Sequence, residues 1–387
     1  MTDDGERLAL VGLSRVLEPG CRAVAAALEL GTATELWDRL VRGRPVAGLG
    51  PLARDGIAAR LDGYQPQRDL ERLHALGGRV VCRGDDEWPE QRLTWDVDRL
   101  GGDKGRDLAP PWALFLRGPH HLREVVDASV AVVGARAATA YGEHVARELA
   151  LGLAEHGLSI VSGAAYGIDG SAHRAALGAE AAPTVAVLAC GVDVDYPRGH
   201  DRLLGQIAER GLLVSEWPPG CAPTRNRFLV RNRVIAALSV GTVVVEAAVR
   251  SGSLSTAGRA AELGRHVMAV PGPVTSTMSA GCHALVRDTA ASLVTSTADV
   301  LDLLGRPGEH LAPRLRAAAH PRDALDLSVR QVLDAVPVRS PVGVARIARA
   351  AGVGALFVQQ VLPALLVAGL VEQRDGGWRL TSLGASG

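Results

Sequence analysis

The chain has 387 residues, of which 47% are hydrophobic, and its 42 basic residues balance its 42 acidic ones. That length allows two or three domains with real cores, and the balance excludes a protein that is basic all over, so any polyanion site must be a local patch. No run of about 18 uncharged apolar residues appears and the start, MTDDGERLAL, is acidic, so neither a membrane span nor a signal peptide is expected and the cytoplasm is the default.

From Glu6 to Leu61 the apolar spacing predicts a small helical module, with a turn at Glu18–Pro19–Gly20 and Thr32 or Thr34 as a helix cap. We place this N-terminal helical domain, of the SAM or helix-hairpin-helix kind, at 1–80. Residues 81–112, rich in Gly, Asp and Pro, read as an exposed connector. Residues 113–305 form the main domain. Within it SVAVVGA, LSIVSGA, TVAVLACG, LLVSEW, TVVVEAA, HVMAVPG and ASLVTS are strand candidates separated by helical patterns. Continuous Val/Ile/Leu runs joined by helices predict an α/β, Rossmann-like, doubly wound parallel sheet. Residues 306–325 read as a linker. Residues 326–387 run helix, helix, helix, hairpin, the order of a winged-helix domain; its third helix, Ala355 to Ala368, contains no charged residue, which suits a protein contact better than a DNA groove, and Pro363 should kink it or mark its start.

Five cysteines stand far apart, with no C-x-x-C pair and no zinc-ligand spacing, so they read as buried thiols. In an open parallel sheet a ligand sits beyond the carboxyl ends of the strands. The segments there, GARAATAYG (134–142), SGAAYGI (162–168) and VRSGSLSTAG (249–258), contain no acid and are rich in glycine and hydroxyl residues, as is appropriate for an anion. Arg136 stands where the second glycine of a dinucleotide fingerprint would be, which counts against NAD or FAD, and no cofactor is expected. Asp169 and His173, one helical turn apart, read as a cap with a neighbouring histidine rather than an acid/base pair; Asp193, Asp195 and Glu246 form no metal set, and Tyr196 and Pro197 shape a turn.

The stretch TRNRFLVRNRV holds four arginines within nine residues, and the nearest acids are Glu216 and Glu246. As a helix it places Arg227 and Arg231 on one face, with Asn232 and Arg233 near the rim, so that aliphatic groups pack under the sheet while the cations look into the crevice.

Together VGARAATAYG, SGAAYGIDGSAHRAAL, VLACGVDVDYP, SEWPPGCAPTRNRFLVRNRVIAALS, VVVEAAVRSGSLSTA, GRHVMAVPG and SAGCHALV resemble the DNA-processing protein A (DprA/Smf) family, in order over about 130–295. The resemblance implies a homodimeric single-stranded DNA-binding protein that protects incoming strands in natural transformation and loads RecA; with no metal set, nucleophile pair or dinucleotide fingerprint, no enzymatic turnover is expected. It implies phosphate contacts at Arg136, at Ser162 and Gly163, and along the segment of Phe228, Arg231, Asn232 and Arg233, with Phe228 stacking on a base; the acid-free loops add Gly167, Ser251, Gly252 and Ser253 as expected contacts. The chain departs from the family pattern at Leu229, where a proline usually follows the phenylalanine, at Trp217 and at Gly281–His283. The competing readings are a phosphoribohydrolase of the lysine-decarboxylase-like type, resting on Gly241, Thr242 and Glu246, and a nucleotide-sensing Rossmann protein; the hydrolases' Pro-Gly-Gly is absent.

Overall fold

The computed structural model describes residues 2–96, 108–305 and 321–385. They form two compact units, 1–312 and 313–387. The first begins with five helices, α1 (Asp4–Val16), α2 (Arg22–Leu30), α3 (Ala33–Val41), α4 (Pro51–Leu61) and α5 (Pro66–Ala75), followed by β1 (Gly78–Cys82), α6 (Glu90–Leu93), β2 (Ala113–Arg117) and α7 (Leu122–Asp127). Strands and helices then alternate: β3 (Ser129–Val133), α8 (Ala140–Glu155), β4 (Ser159–Ser162), α9 (Ile168–Ala176), β5 (Thr184–Leu188), α10 (Asp201–Arg210), β6 (Leu212–Ser215), α11 (Arg225–Leu238), β7 (Gly241–Val244), α12 (Gly252–Glu262), β8 (His266–Ala269), α13 (Ala280–Asp288), β9 (Ser292–Leu293) and α14 (Thr297–Leu304).

All nine strands join one sheet in the order β1-β2-β6-β5-β4-β3-β7-β8-β9. The seven strands expected from the sequence run parallel; β1 and β2 are an addition, antiparallel to each other and with β2 antiparallel to β6. Alternation along each strand supplies both layers. In β3, Val130 and Val132 pack with Leu149, Leu153 and Ile168 on one face, while Ala131 and Val133 pack with Val234, Ile235 and Leu238 on the other. Each such buried aliphatic side chain contributes about 1.5–3 kcal/mol.

The strand pair corrects two expectations. A boundary at 80/81 falls inside β1, and the N-terminal helices do not stand apart: Leu13, Val16, Leu36 and Leu73 share one core with Phe115 of β2, Leu188 of β5 and Leu213 of β6. Nor is 81–112 an exposed connector in its described part, because Val81, Trp88, Leu93, Leu108 and Trp112 are buried. Residues 97–107, and 306–320 of the expected linker, lie outside the described residues.

The second unit holds α15 (Leu327–Asp334), α16 (Val344–Ala351), α17 (Ala355–Val367) and the antiparallel hairpin β10 (Val371–Arg374) and β11 (Gly377–Leu380), around a core of Val332, Leu333, Ile347, Leu362 and Leu370. Helix α17 starts eight residues before Pro363 and continues through it. Among the described residues no single helix is long and apolar enough to cross a membrane.

Candidate nucleic-acid interface

The chain runs from β3 through β4, β5 and β6 on one side, then returns to place β7 on the other side of β3. This reversal parts the loops after β3 and β7 and leaves a crevice at their carboxyl ends, where open α/β sheets take ligands. A cleft of about 790 Å³ occupies that position, lined by Gly134–Ala137 after β3, Ala165 and Asp169 after β4, the first turns of α11, and Ala248 with Arg250–Ser253 after β7.

Three arginines at this cleft, Arg136, Arg225 and Arg250, are exposed and have no carboxylate within ion-pair distance among the described residues. The Arg136 guanidinium lies 4.8 Å from the centre of the Phe228 ring, and Tyr196 packs against the same ring at 5.5 Å. Phe228 is therefore turned into the cleft, between a cation and a second aromatic, despite the leucine that follows it. Arg231 lies deeper: it is 4% exposed, its Nη1 donates to Val187 O at 2.6 Å, and its Nε has no partner among the described residues. Burial lowers its pKa to about 10, against the attraction of Asp169 and with the repulsion of Arg136, so it stays cationic at neutral pH. Asp169 sits in the first turn of α9 and accepts from the amides of Gly163 (3.2 Å) and Ala165 (3.4 Å); burial raises its pKa while Arg231 and these amides oppose the rise.

Asn232 donates to Gly252 O at 3.2 Å and ties α11 to the start of α12, where Ser251 is the cap and its hydroxyl meets that of Ser253 at 2.7 Å. Asn232, Ser251, Gly252 and Ser253 all line the cleft.

Four expected contact residues lie elsewhere. Ser162 is buried, and its hydroxyl donates to Val132 O at 2.7 Å, stitching β4 to β3. Gly163 and Gly167 make room instead of facing the cleft: a Cβ at Gly163 would stand 2.0 Å from Arg231 Nη1, and one at Gly167, whose φ is +74°, would stand 2.3 Å from Ala135 O. Arg233, 1% exposed, points away into a bidentate pair with Glu216 at 2.7 and 3.1 Å. Arg227 does not share the outlook of Arg231 either, because its Nε and Nη2 donate to Glu18, 3.1 and 2.8 Å away. The run of four arginines is thus answered by two carboxylates, one of them 209 residues away in sequence.

The remaining acids are structural. Glu246 is buried and accepts from Thr139 N (2.9 Å) and Thr139 Oγ1 (2.6 Å) at the start of α8, and Asp193 accepts from Gly220 N at 2.7 Å and pairs with Arg72. His173 bonds Thr184 Oγ1 at 2.7 Å and faces away from Asp169's amides; Gly167, not Asp169, is the cap of α9. No group of three metal-ligating side chains occurs among the described residues. The signals missed in the sequence were Arg225, Arg250 and Tyr196: each follows a strand by a short loop, but only the strand order brings these loops together.

The family model for DNA recombination-mediator protein A matches residues 79–305. A putative DNA processing protein DprA of Mycobacterium tuberculosis H37Rv is 46% identical over 374 residues, covering 96% of this chain and 94% of that one. DNA processing protein DprA of Streptococcus pneumoniae R6 is 45% identical over 207 residues, 54% of this chain and 69% of that one. The X-ray structure of DprA from S. pneumoniae superposes with a TM-score of 0.62 and 32% identity, covering 79% of this chain and all of that one. By the family match over most of the sheet and the identity along nearly the whole length, the chain belongs to the DNA recombination-mediator protein A (DprA/Smf) family.

Proposed function

We propose that the protein binds single-stranded DNA in the cleft after β3 and β7, without turnover, and acts as a cytoplasmic homodimer that protects incoming strands in natural transformation and loads RecA. One observation carries the DNA reading: Arg136, Arg225 and Arg250, all without carboxylate partners among the described residues, ring a cleft that contains Phe228. A single strand offers a phosphate at every step and a π-face in any sequence, so guanidinium forks with one aromatic platform hold it without reading bases. The recombination-mediator name of the family supports the RecA step. Binding without turnover is supported by the engagement of the nearest carboxylates, Asp169 and Glu246, with loop and helix-start amides. The helix-and-hairpin order of residues 327–380 supports a winged-helix assignment for the second unit, with a role in protein contact.

The test is fluorescence anisotropy with oligo-dT, oligo-dC and duplex at several salt concentrations. Wild type should prefer the single strands to duplex, without preference between dT and dC. Arg136→Ala and Arg225→Ala should each weaken binding equally for both oligonucleotides and reduce the salt slope by about 0.7, the share of one phosphate on a single strand. Unchanged affinity and slope in folded variants would remove the cleft from the DNA path.

A further inference from the structure

Helix α7 leads directly into the amino end of β3, so its surroundings lie at the opposite end of the parallel strands from the first cleft. A second cleft, of about 440 Å³, opens there between the β1–α6 loop, α6 and α7, with Trp88, Pro89, Arg92, Arg123 and Val126 in its lining. Its donors are only partly satisfied. Trp88 is 4% exposed, packed in the core beneath α7, and its indole N–H has no hydrogen-bond partner among the described residues. Leaving such a group unpaired in a buried setting is destabilising, and each instance in a native protein asks for an explanation. Arg92 is half-buried and donates to the backbone oxygen of Asp127 at 2.9 Å, with no carboxylate at ion-pair distance among the described residues. Nearby, Arg265 donates to Gln91 O at 3.4 Å, and its Nε is buried without a partner among the described residues. Burial lowers the pKa of both arginines, and the charge of Arg92 lowers that of Arg265 further.

Carboxylates line the cleft as well, and two of them are engaged: Asp85 pairs with Arg7 and Glu90 with Arg83, each at 2.9 Å, while Asp127 is the third and Asp86 pairs loosely with Arg123 at 3.6 Å. A nucleic-acid strand, with a phosphate at every step, would meet these carboxylates repeatedly, which a compact anion with one charge does not. Pro89 and Val126 offer apolar contact to whatever carries that charge.

We infer that this cleft is a second binding site, for a single carboxylate borne on a small apolar body, gripped by Arg92 and Arg123 beside the Trp88 indole. A planar carboxylate matches the guanidinium fork, and the volume is that of a small-ligand pocket. The same chemistry has two sources, a free aliphatic acid or the C-terminal carboxylate of a peptide ending in an apolar residue.

The experiment follows the indole N–H resonances of the full chain, which has six tryptophans, with Trp88 assigned by Trp88→Phe. Isovalerate, N-acetyl-Ala-Leu and the C-terminal amide of that dipeptide are titrated separately. The Trp88 signal should move and saturate with an acid but not with the amide, with a Kd of about 1 mM or tighter. Arg92→Gln should weaken this at least tenfold. Tighter binding of isovalerate marks a free acid as the ligand, and tighter binding of the dipeptide marks a chain terminus. A silent Trp88 signal, or an equal response to the amide, overturns the inference, as does a shift caused by oligo-dT. Should Trp88→Phe not fold, loss of the moving signal in Arg92→Gln against an unchanged spectrum elsewhere carries the same decision. Oligo-dT affinity in Arg92→Gln stays at the wild-type value, so failure here leaves the first cleft's reading intact.

Discussion

A methyl group added at Gly163 would sit where Arg231 Nη1 now is, 2.0 Å away, and the arginine would have to leave Val187 O to make way. Gly163→Ala should therefore reduce oligo-dT affinity at least about tenfold, or 1.4 kcal/mol, in a protein whose circular dichroism is unchanged; wild-type affinity would show that Arg231 does not contribute to the strand. The density of arginine in α11 was legible in the sequence, but the direction of each side chain was not. With polar and apolar residues on every side, α11 has no dominant face from which its rotation could be read, so Arg233 turned inward to Glu216 while Arg231 reached the cleft. His173 was legible as a bland residue and has a measurable consequence. Burial lowers its pKa from 6.5 to about 3, so the folded protein holds it neutral while the unfolded chain takes up a proton below 6.5. The stability this contributes is complete above pH 6.5 and is lost as pH falls toward 3, by up to about 1.4 kcal/mol per pH unit. Urea midpoints measured at pH 7 and pH 5 should differ clearly in wild type and less in His173→Gln. A residual slope should remain from His200, whose pKa burial also lowers; an unchanged difference would exclude His173 as its source.

At the scale of elements, the seven parallel strands could be read because each is a continuous apolar run ending in glycine or small residues. Strands β1 and β2 could not, because five residues each, with no helix joining them in parallel, carry no crossover signature. The strand order was equally hidden, and with it the meeting of the β3 and β7 loops. Helix α11 shows how the helices at the start of the chain reach the cleft. Glu18, at the end of α1, accepts from Arg227 twice and from the Trp217 indole at 3.2 Å, and so holds the first turn of α11, which also bears Arg225 and Phe228. Arg227 lowers the pKa of Glu18 against the opposing effect of burial. Since the carboxylate is 41% exposed, solvent screens the pair. Glu18→Gln should cost about 1 kcal/mol of stability or less and weaken oligo-dT binding by up to about fivefold. In a double-mutant cycle with Arg227→Ala the two losses should fall short of additivity; full additivity would mean that Glu18 acts on the cleft by another route.

For the whole molecule, the division found is between 1–312 and 313–387, not between helical module and sheet. Every residue lining the first cleft belongs to the first unit, and α17 of the second has no charge with which to follow a phosphate backbone. Deleting residues 326–387 should leave oligo-dT affinity within about tenfold, or 1.4 kcal/mol, as measured on a folded truncation; a larger loss would place a main DNA contact in the second unit. Deleting residues 1–80 should instead give insoluble protein, since Phe115, Leu188 and Leu213 would lose the helices that cover them. The cleft's cations have one more property in common: all are arginines, and the single lysine of the chain, Lys104, lies in 97–107. Acetylation and other acyl transfer to ε-amines, which remove a cation from lysine, thus have no acceptor among the described residues of this cleft. Amine-selective acylating reagents should leave its grip on a strand unchanged, and any regulation of its charge must act on guanidinium groups or on the acids that restrain them.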